Sequence, residues 1–246
     1  MQEETVVKET NTGDAAAAVV AEETESVRRI RMTFERQLSH QGLYITLSLG
    51  DPTLKQYAAD YGFPQEKIEG FKILYNEVEK LYSNQKLKAA ELLEAIRLFL
   101  EKLDTARIKT QEIVNIARLA FKKDPAAYVA LELNRIRKRT NDAWILQHKY
   151  FYETILAQTA YVAQITKYNV LQAQLDDGYN ALLETIDAAS KKLNAKAEAQ
   201  KATELKTRAW LKLKWAMRKY HNVMKAVLEE DPQMKEKLGM VTPIEV

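Results

Sequence analysis

At 246 residues the chain is long enough for one large domain or two small ones, and a formal net charge of +3 gives no bulk attraction to nucleic acid or anionic lipid. Apolar residues make up 46% and charged residues 29%, an ordinary balance for a globular protein. No cysteine is present, which excludes disulfides, thiolate metal sites and a thiol nucleophile; seven Gly and five Pro interrupt a composition that otherwise favours helix almost everywhere.

In chain order, residues 1–23 read as an acidic leader expected to be disordered. "MQEETVVKETNTGD" lacks the basic n-region of a signal peptide, and "AAAAVVA" (15–21) is too short to be its apolar core. No run approaches the roughly 20 apolar residues of a membrane span, so a cytoplasmic location is expected. A helix is predicted from about Thr24 to Leu49, interrupted by Gly50-Asp51-Pro52, where Asp51 caps a new short helix with Pro52 in its first turn. "YGFP" (61–64) is a turn.

The next helix is long. Ile68, Phe71, Tyr75, Val78, Tyr82, Gln85 and Ala89 open a seam of alternating three- and four-residue steps that continues through Leu103, Thr110 and Ala117 to Ala120. "SNQK" (83–86) is a candidate break, but the phase survives it, and an unbroken helix would measure roughly 85 Å. Pro125 stops it near Lys123. One helix is then predicted from about Asn134 to Lys167, with Trp144, His148, Phe151, Ile155, Val162 and Ile165 on its seam. After a weakly signalled turn near Tyr168 a second long helix is predicted over about 171–230, with a weak seam over 196–206 where a kink or break is expected if there is one.

"FKKDPAAYVALEL" (121–133) returns as "LEEDPQMKEKLGM" (228–240), an offset that carries Asp124-Pro125 onto Asp231-Pro232. The same offset carries Tyr61 onto Tyr168, Phe63 onto Val170, Ile68 onto Leu175, Tyr44 onto Phe151 and Ile116 onto Val223. Two copies fit as about 33–139 and 140–246, the first preceded by a leading helix from residue 24. Glu132 stands where the second copy has Gly239, so the first copy's helix end is expected to differ. The long helices also end unlike one another: Ala106, Thr110, Ala117 and Ala120 are small, whereas Leu213, Met217, Met224 and Val227 are large. Close packing would let one set fill the space left by the other in a single asymmetric core.

Chemistry is sparsely signalled. The residues three before His40, His148 and His221 are Gln37, Ile145 and Arg218, so the Glu-x-x-His pairs of a di-iron bundle are missing. No G-x-S-x-G elbow and no phosphate-cradling glycine loop is present. The basic segment "NRIRKRT" holds Arg135, Arg137, Lys138 and Arg139. The last long helix carries Lys201, Lys206, Arg208, Lys212, Lys214, Arg218 and Lys219, interleaved with Trp210, Trp215 and Tyr220. Cations among aromatics are what single-stranded nucleic acid requires, although Trp210 and Tyr220 fall on the seam.

"ARLAFKKDPAAYVALELN" and "VMKAVLEEDPQMKEKLGM", together with "YGFPQEKIEGFKILY", resemble the repeat ends of a group of uncharacterised bacterial two-repeat all-helical bundle proteins. The resemblance covers most of 33–246, rests on packing motifs and implies an architecture but no chemistry. The expectation is an all-α, elongated antiparallel helical bundle of two tandem repeats of about 107 residues, divided as 1–23, 24–139 and 140–246 and packed as one bundle. Its expected role is non-enzymatic: structural or protein-interacting, with a protein partner or self-association and no cofactor, metal or small-molecule ligand. The alternative is nucleic-acid or polyanion binding through 134–140 and the last long helix.

Overall fold

The computed structural model describes residues 33–134, 138 and 140–240. The leader lies outside them. The helix predicted from about Thr24 begins instead at Phe34, because Thr33 is extended (φ −60°, ψ 159°) and caps it by accepting from Arg36 N–H at 3.3 Å. Among the described residues the protein is all-α: α1 (Phe34–Gly50), α2 (Pro52–Asp60), α3 (Gln65–Ala120), α4 (Pro125–Ala130), α5 (Asn141–Ala157), α6 (Thr159–Thr166), α7 (Gln172–Val227) and α8 (Pro232–Lys237), with no strand. None of these helices is long and apolar enough to cross a membrane.

Local chemistry sets most of the boundaries. Asp51 accepts from the N–H groups of Thr53 (2.9 Å) and Leu54 (3.2 Å), and Pro52 opens α2 behind it. Asp124 accepts from Ala127 N–H at 3.0 Å and Asp231 from Met234 N–H at 3.1 Å, each again followed by proline. The helices also begin and end at recurring places. The offset that carries Asp124 onto Asp231 carries both bounds of α1, α3 and α4 onto those of α5, α7 and α8, and the start of α2 onto the start of α6. Among the described residues the four with positive φ fall into the same scheme: Gly62 with Asn169, and Glu132 with Gly239.

The structure corrects three further expectations. The single helix predicted over 134–167 is two, because Gln158 adopts an extended conformation (φ −119°, ψ 106°) with no side-chain cap. No proline or side-chain cap marks that break; Gln158 stands the same offset beyond Asp51 that separates Asp231 from Asp124, between segments whose Ile155 and Ile165 are both fully buried. Glu132 does not change the helix end. At φ 52° it occupies the left-handed region as Gly239 does at 70°, and Leu133 N–H reaches Tyr128 O (3.0 Å) as Met240 N–H reaches Lys235 O (2.9 Å). The small and large seam ends do not share a core. Ala106, Ala117 and Ala120 lie in a buried cluster with Trp144, Phe151 and Tyr152 of α5; Leu213 and Met217 are in the same unit but outside that cluster, and Tyr220 and Met224 belong to the other unit. Both long helices are continuous, through 83–86 and through 196–206.

The described chain forms two compact units, each using both halves of the sequence. One takes residues up to Tyr75 and from Tyr220 onward. Its core holds Tyr44, Ile45, Leu54, Ile68, Leu228 and Leu238, with Tyr220 ringed by Tyr44, Phe63 and Phe71 at 5.0–5.7 Å between ring centroids. The other runs from Asn76 to Lys219. Here α3 and α7 pass each other in opposite directions: Gln85 Nε2 donates to Thr203 Oγ1 (3.1 Å), Lys102 pairs with Glu184 (2.8 Å) and Lys109 with Asp177 (2.6 Å). Thr185 Oγ1 donates to Lys102 O at 3.1 Å, a side chain reaching the facing backbone, which requires close helix approach.

Candidate interaction surfaces

Among the described residues of the Asn76–Lys219 unit, no third layer covers the middle of the α3–α7 pair. Two helices alone cannot enclose a seam, and Leu87, Leu93, Leu98 and Leu193 remain 57%, 69%, 41% and 62% exposed. On one flank a groove of about 720 Å³ opens between the two helices, floored by Ala90, Ala95, Leu98 and Ala188. Its rim is charged: Glu91, Glu94 and Lys102 on α3 and Glu184, Asp187 and Lys191 on α7, four acids against two lysines. The rim charges pair locally, Lys191 with Asp187 at 2.7 Å and Arg97 with Glu94 at 2.7 Å. These pairs are exposed, so they contribute little stability and stay exchangeable. The sequence hinted at this place only through its unbroken heptads; seam spacing does not say which stretch goes uncovered.

The basic face of the last long helix is real but smaller than its sequence implies. Tyr220 is fully buried and Trp210 half-buried, which leaves Trp215, 69% exposed, as its one open aromatic ring. The Arg218 guanidinium lies 5.6 Å from the Trp215 ring centroid. Of the junction residues, Arg135, Arg137 and Arg139 lie outside the described residues. Lys138 is exposed, and its backbone N–H donates to Gln147 Oε1 at 3.3 Å.

Catalytic geometry does not assemble around the histidines. His148 is buried and its Nδ1 donates to Trp144 O at 2.7 Å, a helix-internal bond that occupies it structurally. In the first unit His40 Nε2 donates to Gly239 O (3.1 Å) and His221 Nε2 to Gln41 Oε1 (2.9 Å). Burial, with a smaller contribution from nearby His40, pushes His221 down to about 4, so it is neutral at pH 7. Tyr44 and Tyr220 are both 0% exposed with hydroxyls that make no hydrogen bond. Burial drives both phenols above their ordinary range. Nearby Ser48 offsets part of that rise at Tyr220, although the Ser48 Oγ proton goes to Tyr44 O (2.8 Å). Among the described residues no group of three or more His, Asp or Glu is placed to hold a metal ion.

No protein-family model, curated protein or solved structure matches the chain.

Proposed function

We propose that this protein is a non-enzymatic helical interaction module: two tandem copies, about 33–139 and 140–246, form one antiparallel bundle, which receives a helix of another polypeptide along the open flank of α3 and α7. The observation that carries the reading is the groove over Ala90, Ala95, Leu98 and Ala188, an apolar floor inside a charged rim. Such a strip suits the apolar stripe of an amphipathic helix, with polar residues at its edges. The common offset between the helix bounds of the two halves supports the tandem origin.

The test is photo-crosslinking in the expressing cell from a reactive residue at Leu98, with Leu93 as the control. Both leucines are exposed, and Leu93 does not line the groove. Polypeptide adducts at Leu98 in clear excess over Leu93 are expected; their absence overturns the reading.

A second reading, binding of a polyanion, rests on exposed Trp215 among Arg208, Lys212 and Arg218. It predicts a salt-dependent complex with a single-stranded oligonucleotide that Trp215→Ala weakens at least tenfold. No complex at low salt removes it.

A further inference from the structure

The groove and the basic end of α7 lie on one flank of the same unit. Along α7 the buried seam keeps heptad register, with Ala181, Ala188, Ala202 and Ala209 seven or fourteen residues apart and Thr185 and Leu213 twenty-eight. Positions seven apart therefore stay on one side of the pair. Glu184 of the groove rim shares its heptad position with Leu205, Lys212 and Lys219, and Asp187 shares its own with Arg208 and Trp215.

This flank has two unlike ends. One is the groove, lined by four acids and two lysines, with Lys88 and Arg97 beside it in exposed, exchangeable pairs with Glu91 and Glu94. The other, over residues 201–219 of α7, has seven basic residues against the single acid Glu204, and carries Leu205 and Trp215 exposed at 39% and 69%. Arg208, Lys212 and Lys219 form no ion pair among the described residues. The two ends complement each other in sign, and in form: an apolar hollow at one, apolar projections at the other. They sit about 40 Å apart along α7, too far to meet within one chain.

We infer that the partner received by this flank is a second copy of the same chain, laid antiparallel so that the basic, Trp215-bearing end of each α7 covers the acidic groove of the other. A two-fold axis near residues 85–88 of α3 and 198–203 of α7, where Gln85 bonds Thr203, makes both contacts at once. The pair of helices in each copy then becomes half of a four-helix layer, which supplies the cover that Leu87 and Leu98 lack. Charge fixes the orientation, because a parallel arrangement sets acid against acid and base against base. The inference rests on the interaction reading above and narrows it to one partner.

The experiment is sedimentation equilibrium on the full chain at micromolar concentration, with helix content by circular dichroism as the control for folding. The wild type is expected at twice the 28.3 kDa of one chain, dissociating as salt is raised. Arg208→Glu/Lys212→Glu/Lys219→Glu and Glu91→Lys/Glu94→Lys/Glu184→Lys are each expected as monomers of unchanged helicity. Mixed together, the two variants are expected to form a heterodimer. A monomeric wild type, a dimer that survives in either variant, or a mixture that stays monomeric overturns the inference. A monomer that still gives adducts to a different polypeptide from Leu98 defeats the second copy alone; a monomer without polypeptide adducts defeats the interaction reading as well.

Discussion

Tyr44 and Tyr220 meet edge to face, ring centroids 5.5 Å apart, and bury two hydroxyls without a hydrogen bond to either. Such groups lose their hydration and gain no partner. Tyr152 in the other unit is the counterexample, since its hydroxyl donates to the buried Thr110 Oγ1 at 3.2 Å. Tyr44→Phe and Tyr220→Phe should therefore leave stability unchanged or raise it by about 1 kcal/mol, while Tyr152→Phe should cost about 1 kcal/mol. Urea melts of the three variants check the contrast. Equal losses in all three would contradict it.

His221 gives the first unit an acid limit. Its ordinary value is 6.5 and its folded value about 4, so the folded state refuses a proton that the unfolded chain accepts. This contribution to stability is complete above pH 6.5 and is lost as the pH falls toward 4. With allowance for its partial exposure the loss amounts to about 1–2 kcal/mol. Melting temperatures between pH 7 and pH 4.5 should fall less in His221→Gln than in the wild type, because the carboxylates common to both cancel in the comparison.

Gly178 is a close-packing position. A Cβ there would stand 2.9 Å from Tyr152 Cζ and 3.2 Å from Ile113 Cδ1, and the ring is locked by its bond to Thr110. Gly178→Ala should destabilise by about 1–3 kcal/mol, and Tyr152→Leu in the same chain should recover part of the loss. A Cβ on Gly42 would likewise stand 2.7 Å from Cζ of the half-buried Tyr75, and Gly42→Ala should also destabilise. A double-mutant cycle measured by thermal melts decides both points.

Ala117 is fully buried in the cluster with Phe121, Phe151 and Tyr152. Ala117→Leu should cost about 1–3 kcal/mol through overpacking. An unchanged melting temperature would show that the cluster has room which the close contacts of Gly178 deny.

Gly239 holds φ at 70°, and a Cβ on it would come within 3.1 Å of His40 Nε2. Gly239→Ala should destabilise by about 1–2 kcal/mol, from left-handed strain together with the disturbed His40 bond to Gly239 O. Glu132 shows that the conformation itself tolerates a side chain, so a His40→Ala background should recover part of the loss.

What could be read in advance follows the range of the forces involved. Asp51 was legible as a cap, and Pro125 and Pro232 as stops of the long helices, but the short helices that Asp124 and Asp231 cap were not read from the sequence. The long helices were legible because Ala, Leu, Lys and Glu sustain them; the seam keeps phase through α3, whereas in α7 it weakens over 196–206 and left the continuity of that helix open. The break at Gln158 was not, since neither a proline nor a cap marks it. Glu132 misled for a related reason: residue identity weights a backbone conformation without deciding it, and tertiary contacts held this helix end in the shape glycine gives its counterpart. Of the candidate site, the basic residues and Trp215 were visible as a list. The groove was not, because it depends on which turns of α3 and α7 lack a covering helix, and heptad spacing is the same whether a seam is covered or bare.

The two units differ in how much of the chain must exist before they can close. Residues 76–219 are contiguous, so that unit has all its parts once Lys219 has left the ribosome. The other joins residues up to Tyr75 to Tyr220 and beyond, and its rings at Tyr44, Phe63 and Phe71 have no Tyr220 to pack against until then. At synthesis rates of about 5–20 residues per second, the intervening stretch 76–219 leaves that apolar surface waiting for roughly 7–30 seconds. Closure of the first unit therefore cannot precede the synthesis of Tyr220.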